Sequence, residues 1–301
     1  MSDYSLTTAP VDGGELAVGT WGAGGPLVVL VHGITSSHLA FGLVGPLLAD
    51  RYTVVAPDLR GRGRSRDLPG PFGMARHAAD VAALITSRAA GPAVVVGHSM
   101  GGFVAAELAH SRPDLVQRVV LVDGGAPLPL PPGVAADGLQ QGSTGDAVAA
   151  AIAARLGSAY ERLTQAFASV EAYREYWRAH PSMQPWSAAI EAYVDYDLVG
   201  EPPQLRPACR LEAAQRDGAD LYATVGVLPR ALPVPSVFLR AERGMLAEPE
   251  GLYAPGYPSH WLPGTQETTV SGVNHYSIVL AAEGARAVAD SVPATGADRP
   301  G

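Results

Sequence analysis

Ala93-Val94-Val95-Val96-Gly97-His98-Ser99-Met100-Gly101-Gly102 is the stretch on which the fold of this chain turns. Residues 93–96 read as a buried strand, and the Ala-rich run 100–110 reads as a helix. Between them the chain must reverse within a few residues. Glycines on either side of Ser99 let neighbouring backbone come close, and such a turn holds its central residue in a strained conformation. The Ser99 hydroxyl then stands above a sheet at a helix N-terminus, where free N–H groups and the helix dipole favour developing negative charge.

Working outward, strand signals fall at 15–21, 26–31, 52–57, 117–122, 234–241 and 267–271. Residues 37–48, 74–89 and 276–291 have helical spacing. Repeated strand–helix–strand units with continuous apolar strands predict a parallel sheet covered on both faces. The pattern breaks at Gly124, and a Pro-rich stretch follows at 127–132. Residues 146–155, 160–180, 187–196 and 205–217 then read as helices with no strand among them. This block is too long for a loop. It implies a core of 1–125 plus 231–301 and a helical insertion at 126–230, with a disordered tail from 293.

Composition narrows the chemistry. The 301 residues carry a formal charge of −8, which argues against nucleic acid and against an anionic membrane surface as partners. All basic residues are arginine, so Schiff-base chemistry and a P-loop lysine are excluded. The one cysteine, Cys209, permits no internal disulfide and reads as a packed thiol. No basic segment followed by an apolar core opens the chain, and no apolar run is long enough to span a bilayer, so a cytoplasmic protein is expected.

A nucleophilic serine needs a base, a group that orients the base, and donors for an oxyanion. Of eight histidines, His32 and His98 lie inside the loop motifs themselves, and His275 follows the last strand just before the final helix, in Gly272-Val273-Asn274-His275. Loops at the carboxyl ends of parallel strands share one face, which places His275 with Ser99. The N–H of Met100 and the N–H of Ile34, in the loop after His32-Gly33, are the candidate donors, with Gly33 letting the backbone turn in close. The remaining histidines read as structural or lack a matching context.

On His32-Gly33-Ile34, Asp58-Leu59-Arg60-Gly61-Arg62-Gly63-Arg64-Ser65, the turn at Ser99 and Asn274-His275, the chain resembles the α/β-hydrolase superfamily, in its branch of esterases, lactonases, epoxide hydrolases and haloalkane dehalogenases. The resemblance covers roughly 16–122 and 234–291. It implies a mostly parallel eight-stranded sheet with helices on both faces and a helical cap inserted after the sixth strand. It carries the nucleophile to Ser99, the base to His275 and the oxyanion donors to Ile34 and Met100, and makes 58–65 a structural turn. The acid departs from the commonest pattern: Leu239-Arg240-Ala241-Glu242-Arg243-Gly244-Met245 holds no Asp. Asp123, at the exit of the sixth strand, is the favoured acid, and Glu242 the alternative.

Serine rather than aspartate at the turn points to acyl transfer without metal or organic cofactor. The expected substrate is a small-molecule carboxylic ester or lactone, neutral and apolar or aromatic. Carbon–carbon bond hydrolysis, thioester or amide cleavage and acyl transfer would use the same parts, with cofactor-free haloperoxidase activity as a side reaction. A small-molecule receptor with a slow triad is the reading from another class. Aromatics between Tyr160 and Tyr222 suggest an apolar pocket ceiling, with Trp177 and Trp186 as its candidate contacts. Acidic residues between Glu171 and Glu201, Asp197 among them, read as a solvated face.

Overall fold

A computed structural model of the chain describes residues 4–89, 91–129, 146–223 and 229–293. The strands are β1 (Tyr4–Val11), β2 (Gly14–Trp21), β3 (Leu27–Val31), β4 (Thr53–Pro57), β5 (Ala93–His98), β6 (Val116–Val122), the short β7 (Leu198–Val199) and β8 (Arg206–Pro207), then β9 (Ser236–Ala241) and β10 (Gln266–Val270). The helices are α1 (Val44–Leu48), α2 (Met74–Arg88), α3 (Met100–Ser111), α4 (Asp146–Thr164), α5 (Val170–Arg178), α6 (Ala188–Tyr196), α7 (Leu211–Ala223), α8 (Tyr257–Trp261), α9 (Ser277–Leu280) and α10 (Ala282–Asp290).

One eight-stranded sheet runs β1-β2-β4-β3-β5-β6-β9-β10. Strand β2 is antiparallel to both neighbours, and the pairings from β4 to β10 are parallel. The apolar runs of the central strands are explained by burial on both sides. Val29, Val31, Val95 and Leu121 face a core completed by α2 and α3. Val28, Leu30, Val94 and Val96 face a second core completed by α1, α9 and α10. The period of two sends alternate side chains to opposite faces. From β3 the chain crosses to β4, and from β5 to β6 on the other side. The carboxyl ends of β3 and β5 therefore flank a topological switch point, the place where open parallel sheets bind ligands.

Several elements differ from the sequence reading. Strand β1 went unread: it lies at the sheet edge with mostly exposed side chains, so no apolar alternation marks it. Helix α4 continues through Gly157 to Thr164, and the break comes at 165–169, where Ser169 accepts from the Ala172 N–H to start α5. The hairpin β7–β8 interrupts the block expected to hold no strand. The closing helix is two, because Ala281 is extended and Gly284 packs against the Ile278 backbone, 2.5 Å from where a Cβ would sit. Residues 130–132 of the Pro-rich stretch and the tail beyond 293 lie outside the described residues.

The turn after β4 is structural. Buried Asp58 accepts from the His38 and Arg64 N–H groups at 2.9 and 2.8 Å, from His38 Nδ1 at 2.8 Å and from the Tyr196 hydroxyl at 2.6 Å. Asp217 on α7 meets Arg62 at 2.5 Å and His77 at 2.9 Å, and accepts from the Gly73 N–H at 2.6 Å. The helices that follow β6 are thus tied to the sheet by buried charge. Among the described residues no helix is long and apolar enough to cross a membrane.

Candidate active site

Ser99 follows β5 at the N-cap of α3 with φ 56° and ψ −124°, a left-handed conformation rare for a side-chain-bearing residue. The structure over-determines it. The Ser99 N–H donates to the Val122 carbonyl at 2.9 Å, and the Gly102 N–H donates to the Ser99 carbonyl at 2.9 Å. Gly101 lies so close to β3 that a Cβ there would run into the Val31 carbonyl oxygen. Backbone strain of roughly 1–3 kcal/mol is held here by packing.

His275 follows β10 in a loop organised by Asn274. The Asn274 Oδ1 accepts from the Tyr276 and Ser277 N–H groups at 2.9 and 2.8 Å, and its Nδ2 donates to the Ser182 carbonyl at 3.2 Å. His98 Nε2 donates to the His275 carbonyl at 2.8 Å. Asp123 leaves β6 at φ 47° and is fully buried. Its Oδ1 accepts from the Ala241 N–H at 3.0 Å, and its Oδ2 accepts from His275 Nδ1 at 2.7 Å. With its proton on Nδ1, the ring presents a lone pair on Nε2, 3.1 Å from Ser99 Oγ.

The structure therefore brings Ser99, His275 and Asp123 together, and it does not bring Glu242 to them. Glu242 is exposed and accepts from the Gly272 N–H at 2.7 Å. Gly244, where a relative's acid was expected, is crowded: a Cβ would meet the Glu250 carbonyl at 2.8 Å. The two other loop histidines are held neutral. Burial lowers both His32 and His98 to about 3. His32 donates from Nδ1 to the Gly33 carbonyl at 2.7 Å and accepts the Leu59 N–H at 2.9 Å.

Around Ser99 lies a cleft of about 840 Å³, counted to its mouth. It is narrow. Gly33, Ile34, Met100 and Trp177 line it. The Ile34 N–H bonds to none of the described residues, and the Met100 N–H opens α3, where no intrahelical acceptor exists.

Trp186 is a correction: it is not among the residues lining the cleft. It precedes α6, stacks under Arg178 at 5.0 Å and donates to Glu191 at 3.2 Å. Asp197 is another, since it is buried against Arg162 at 2.7 Å rather than solvated. Tyr193, one of the aromatics between Tyr160 and Tyr222, also lines the cleft, and lining residues not read from the sequence include Ser36, Met245 and Arg155. Tyr193 donates to Ser36 Oγ at 3.1 Å. Arg155 sits in an Ala-rich helix beside Leu156, and an arginine at the border of an apolar face was the only available signal for it.

The family profile described as alpha/beta hydrolase fold matches residues 26–281. The chain is 29% identical over 252 residues to a 2-(acetamidomethylene)succinate hydrolase of Mesorhizobium japonicum, covering 84% of this chain and 82% of that protein. It is 38% identical over 137 residues to the lipase LipV of Mycobacterium tuberculosis, 45% of this chain and 49% of that protein. Curated mycobacterial proteins that match at 38% identity over 101 residues are spanned over only 30% of their length. Among solved structures, E-2-(acetamidomethylene)succinate hydrolase superposes with a TM-score of 0.74 at 25% identity, over 96% of this chain and 98% of that one. With the profile spanning most of the sheet and the loops that carry Ser99 and His275, the chain belongs to the alpha/beta hydrolase fold family.

Proposed function

We propose that the protein is a serine hydrolase that cleaves a carboxylic ester or lactone through an acyl-enzyme on Ser99. The observation that carries this reading is the continuous relay from Asp123 Oδ2 to His275 Nδ1 at 2.7 Å and from His275 Nε2 to Ser99 Oγ at 3.1 Å. In this scheme Ser99 Oγ attacks the carbonyl carbon as its proton passes to His275 Nε2. The imidazolium is stabilised by Asp123, and the oxyanion takes the N–H groups of Ile34 and Met100. His275 then returns the proton to the leaving oxygen. A water attacks the acyl carbon with His275 as base, releasing the acid and restoring Ser99. We read 126–230 as the cap of this site, because α4, α5, α6 and α7 supply Arg155, Trp177, Tyr193 and Leu221 to its wall.

A second reading is favoured by the near full-length likeness to a hydrolase whose named substrate carries an acetamido group: cleavage of an N-acyl bond by the same parts. Fluorophosphonate labelling followed by turnover of short 4-nitrophenyl esters, lactones and N-acyl compounds tests both. Labelling at Ser99, abolished in Ser99→Ala, with turnover of an ester or lactone supports the first reading. Turnover confined to N-acyl compounds supports the second. Labelling with no turnover on any of them would leave a receptor.

A further inference from the structure

Arg155 on α4 shares the wall of the cleft with Ser99, His275, Leu128 and Leu156. The side chain is half-buried, and its Nη1 is shut off from solvent with no hydrogen-bond partner among the described residues. Fully buried arginines of this molecule are matched: Arg60 with Asp80 at 2.9 Å, Arg62 with Asp217 at 2.5 Å, Arg162 with Asp197 at 2.7 Å. Arg155 has no such carboxylate among the described residues. Asp123 lines the same cleft, but both of its oxygens are engaged, by the Ala241 N–H and by His275. The described groups that feel the Arg155 charge are the phenols of Tyr222, Tyr253 and Tyr257, and the Tyr253 hydroxyl is committed to the Ala126 carbonyl at 2.9 Å.

A guanidinium stays charged at any working pH. Holding one in a largely apolar wall without a counter-charge is costly. Its planar fork of donors matches the paired oxygens of a carboxylate or a phosphate, and the flat, singly charged carboxylate is the one that suits a narrow, largely apolar cleft. The counter-charge missing from the protein is therefore looked for on the ligand.

We propose that Arg155 is the specificity-determining residue of this site, and that the substrate carries a carboxylate, remote from the scissile carbonyl, which Arg155 binds. The proposal rests on the hydrolase reading above for its reaction and on Arg155 alone for its charge. It replaces the neutral substrate expected from the sequence by a slender monoanion with an apolar middle, a shape that suits the narrow cleft.

The test compares the mono-4-nitrophenyl esters of adipic, pimelic and suberic acids with their methyl-capped neutral counterparts, corrected for spontaneous hydrolysis. For the chain length that fits, the free acid is expected to exceed its methyl ester in kcat/KM by about 10- to 100-fold, the worth of a charge-assisted pair. The gain should lie mainly in KM, and the ratio should fall to about one in Arg155→Gln with Arg155→Lys between. Fluorophosphonate labelling of Ser99 in each variant shows that the site is folded. Independently, titrating adipate, pimelate or suberate into Ser99→Ala should raise its Tm, and dimethyl adipate should not. Labelling and turnover of the methyl esters with no advantage for any free acid would overturn the carboxylate assignment and leave the hydrolase standing. Diacid binding that depends on Arg155, with neither labelling nor turnover, would overturn the hydrolase and leave the anion site.

Discussion

Asp123 is tied at both carboxylate oxygens, to Ala241 and to His275, while Glu242 holds only the Gly272 turn. The expected consequence is asymmetric. Asp123→Asn should lower kcat by up to ~10⁴, because the amide would favour the wrong imidazole tautomer and could not offset the imidazolium charge. Glu242→Gln should stay near wild type. Steady-state kinetics on a cleaved ester decide it, and the reverse pattern would remove Asp123 as the acid. Cys209 is buried, and burial pushes its thiol up to about 11. At neutral pH it is a protonated, enclosed thiol and a poor nucleophile. Ellman's reagent should therefore leave the native protein unmodified at pH 8 and titrate one thiol only in denaturant.

At the scale of elements, the turn from β5 to α3 is the tightest junction. Gly101→Ala would push a methyl into the Val31 carbonyl, and neither strand nor helix can yield independently. Overpacking of this kind costs about 2 kcal/mol. It should lower Tm by roughly 4–8 °C, as read by calorimetry, and misplace Ser99, so kcat should fall with stability. Helix α7 meets α2 through two carboxylates. Asp217 and Asp220 accept from the Gly73 and Met74 N–H groups at 2.6 and 2.7 Å. The orphan donors at the start of α2, which Gly73 cannot cap itself, are satisfied by a helix that lies far away in sequence.

For the whole molecule, buried charge couples the helices after β6 to the sheet, and this sets the response to acid. Burial alone would raise the carboxyls of Asp58 and Asp217. His38 brings Asp58, and Arg62 with His77 brings Asp217, below the ordinary carboxylate value. Folded-state values below the unfolded ones mean that stability is present above about pH 4 and is lost as pH falls through the folded values. Buried His32 and His98, lowered to about 3, add a loss that begins near pH 6.5, where the unfolded rings take up protons and the folded ones do not. Thermal unfolding should therefore be nearly flat above about pH 7, decline from about pH 6.5, and fall more steeply below about pH 4. Asp217→Asn leaves Arg62 without its counter-charge and should cost about 3 kcal/mol at pH 7. It should also give a shallower acid slope than wild type.

Local pattern was enough for the inner strands of the sheet and its central turn. Strands buried on both faces announce themselves as continuous β-branched runs. Ser99 and His275 were legible because chain order alone puts strand-end loops on one face. Edge strand β1, half in water, left no such signature, and the breaks at 165–169 and Ala281 depend on packing. Where the choice was between side chains of like chemistry, only tertiary structure could make it. Asp123 and Glu242 both follow strands of one sheet. What separates them is the sharp exit of Asp123 at φ 47°, which aims its carboxylate at His275. Trp177 and Trp186 are nine positions apart in one helical block, yet packing turns one to the cleft and the other to Arg178 and Glu191. Arg155 leaves no mark in local pattern, since a charge without a partner among the described residues is a property of everything around it, and a sequence names neighbours only along the chain.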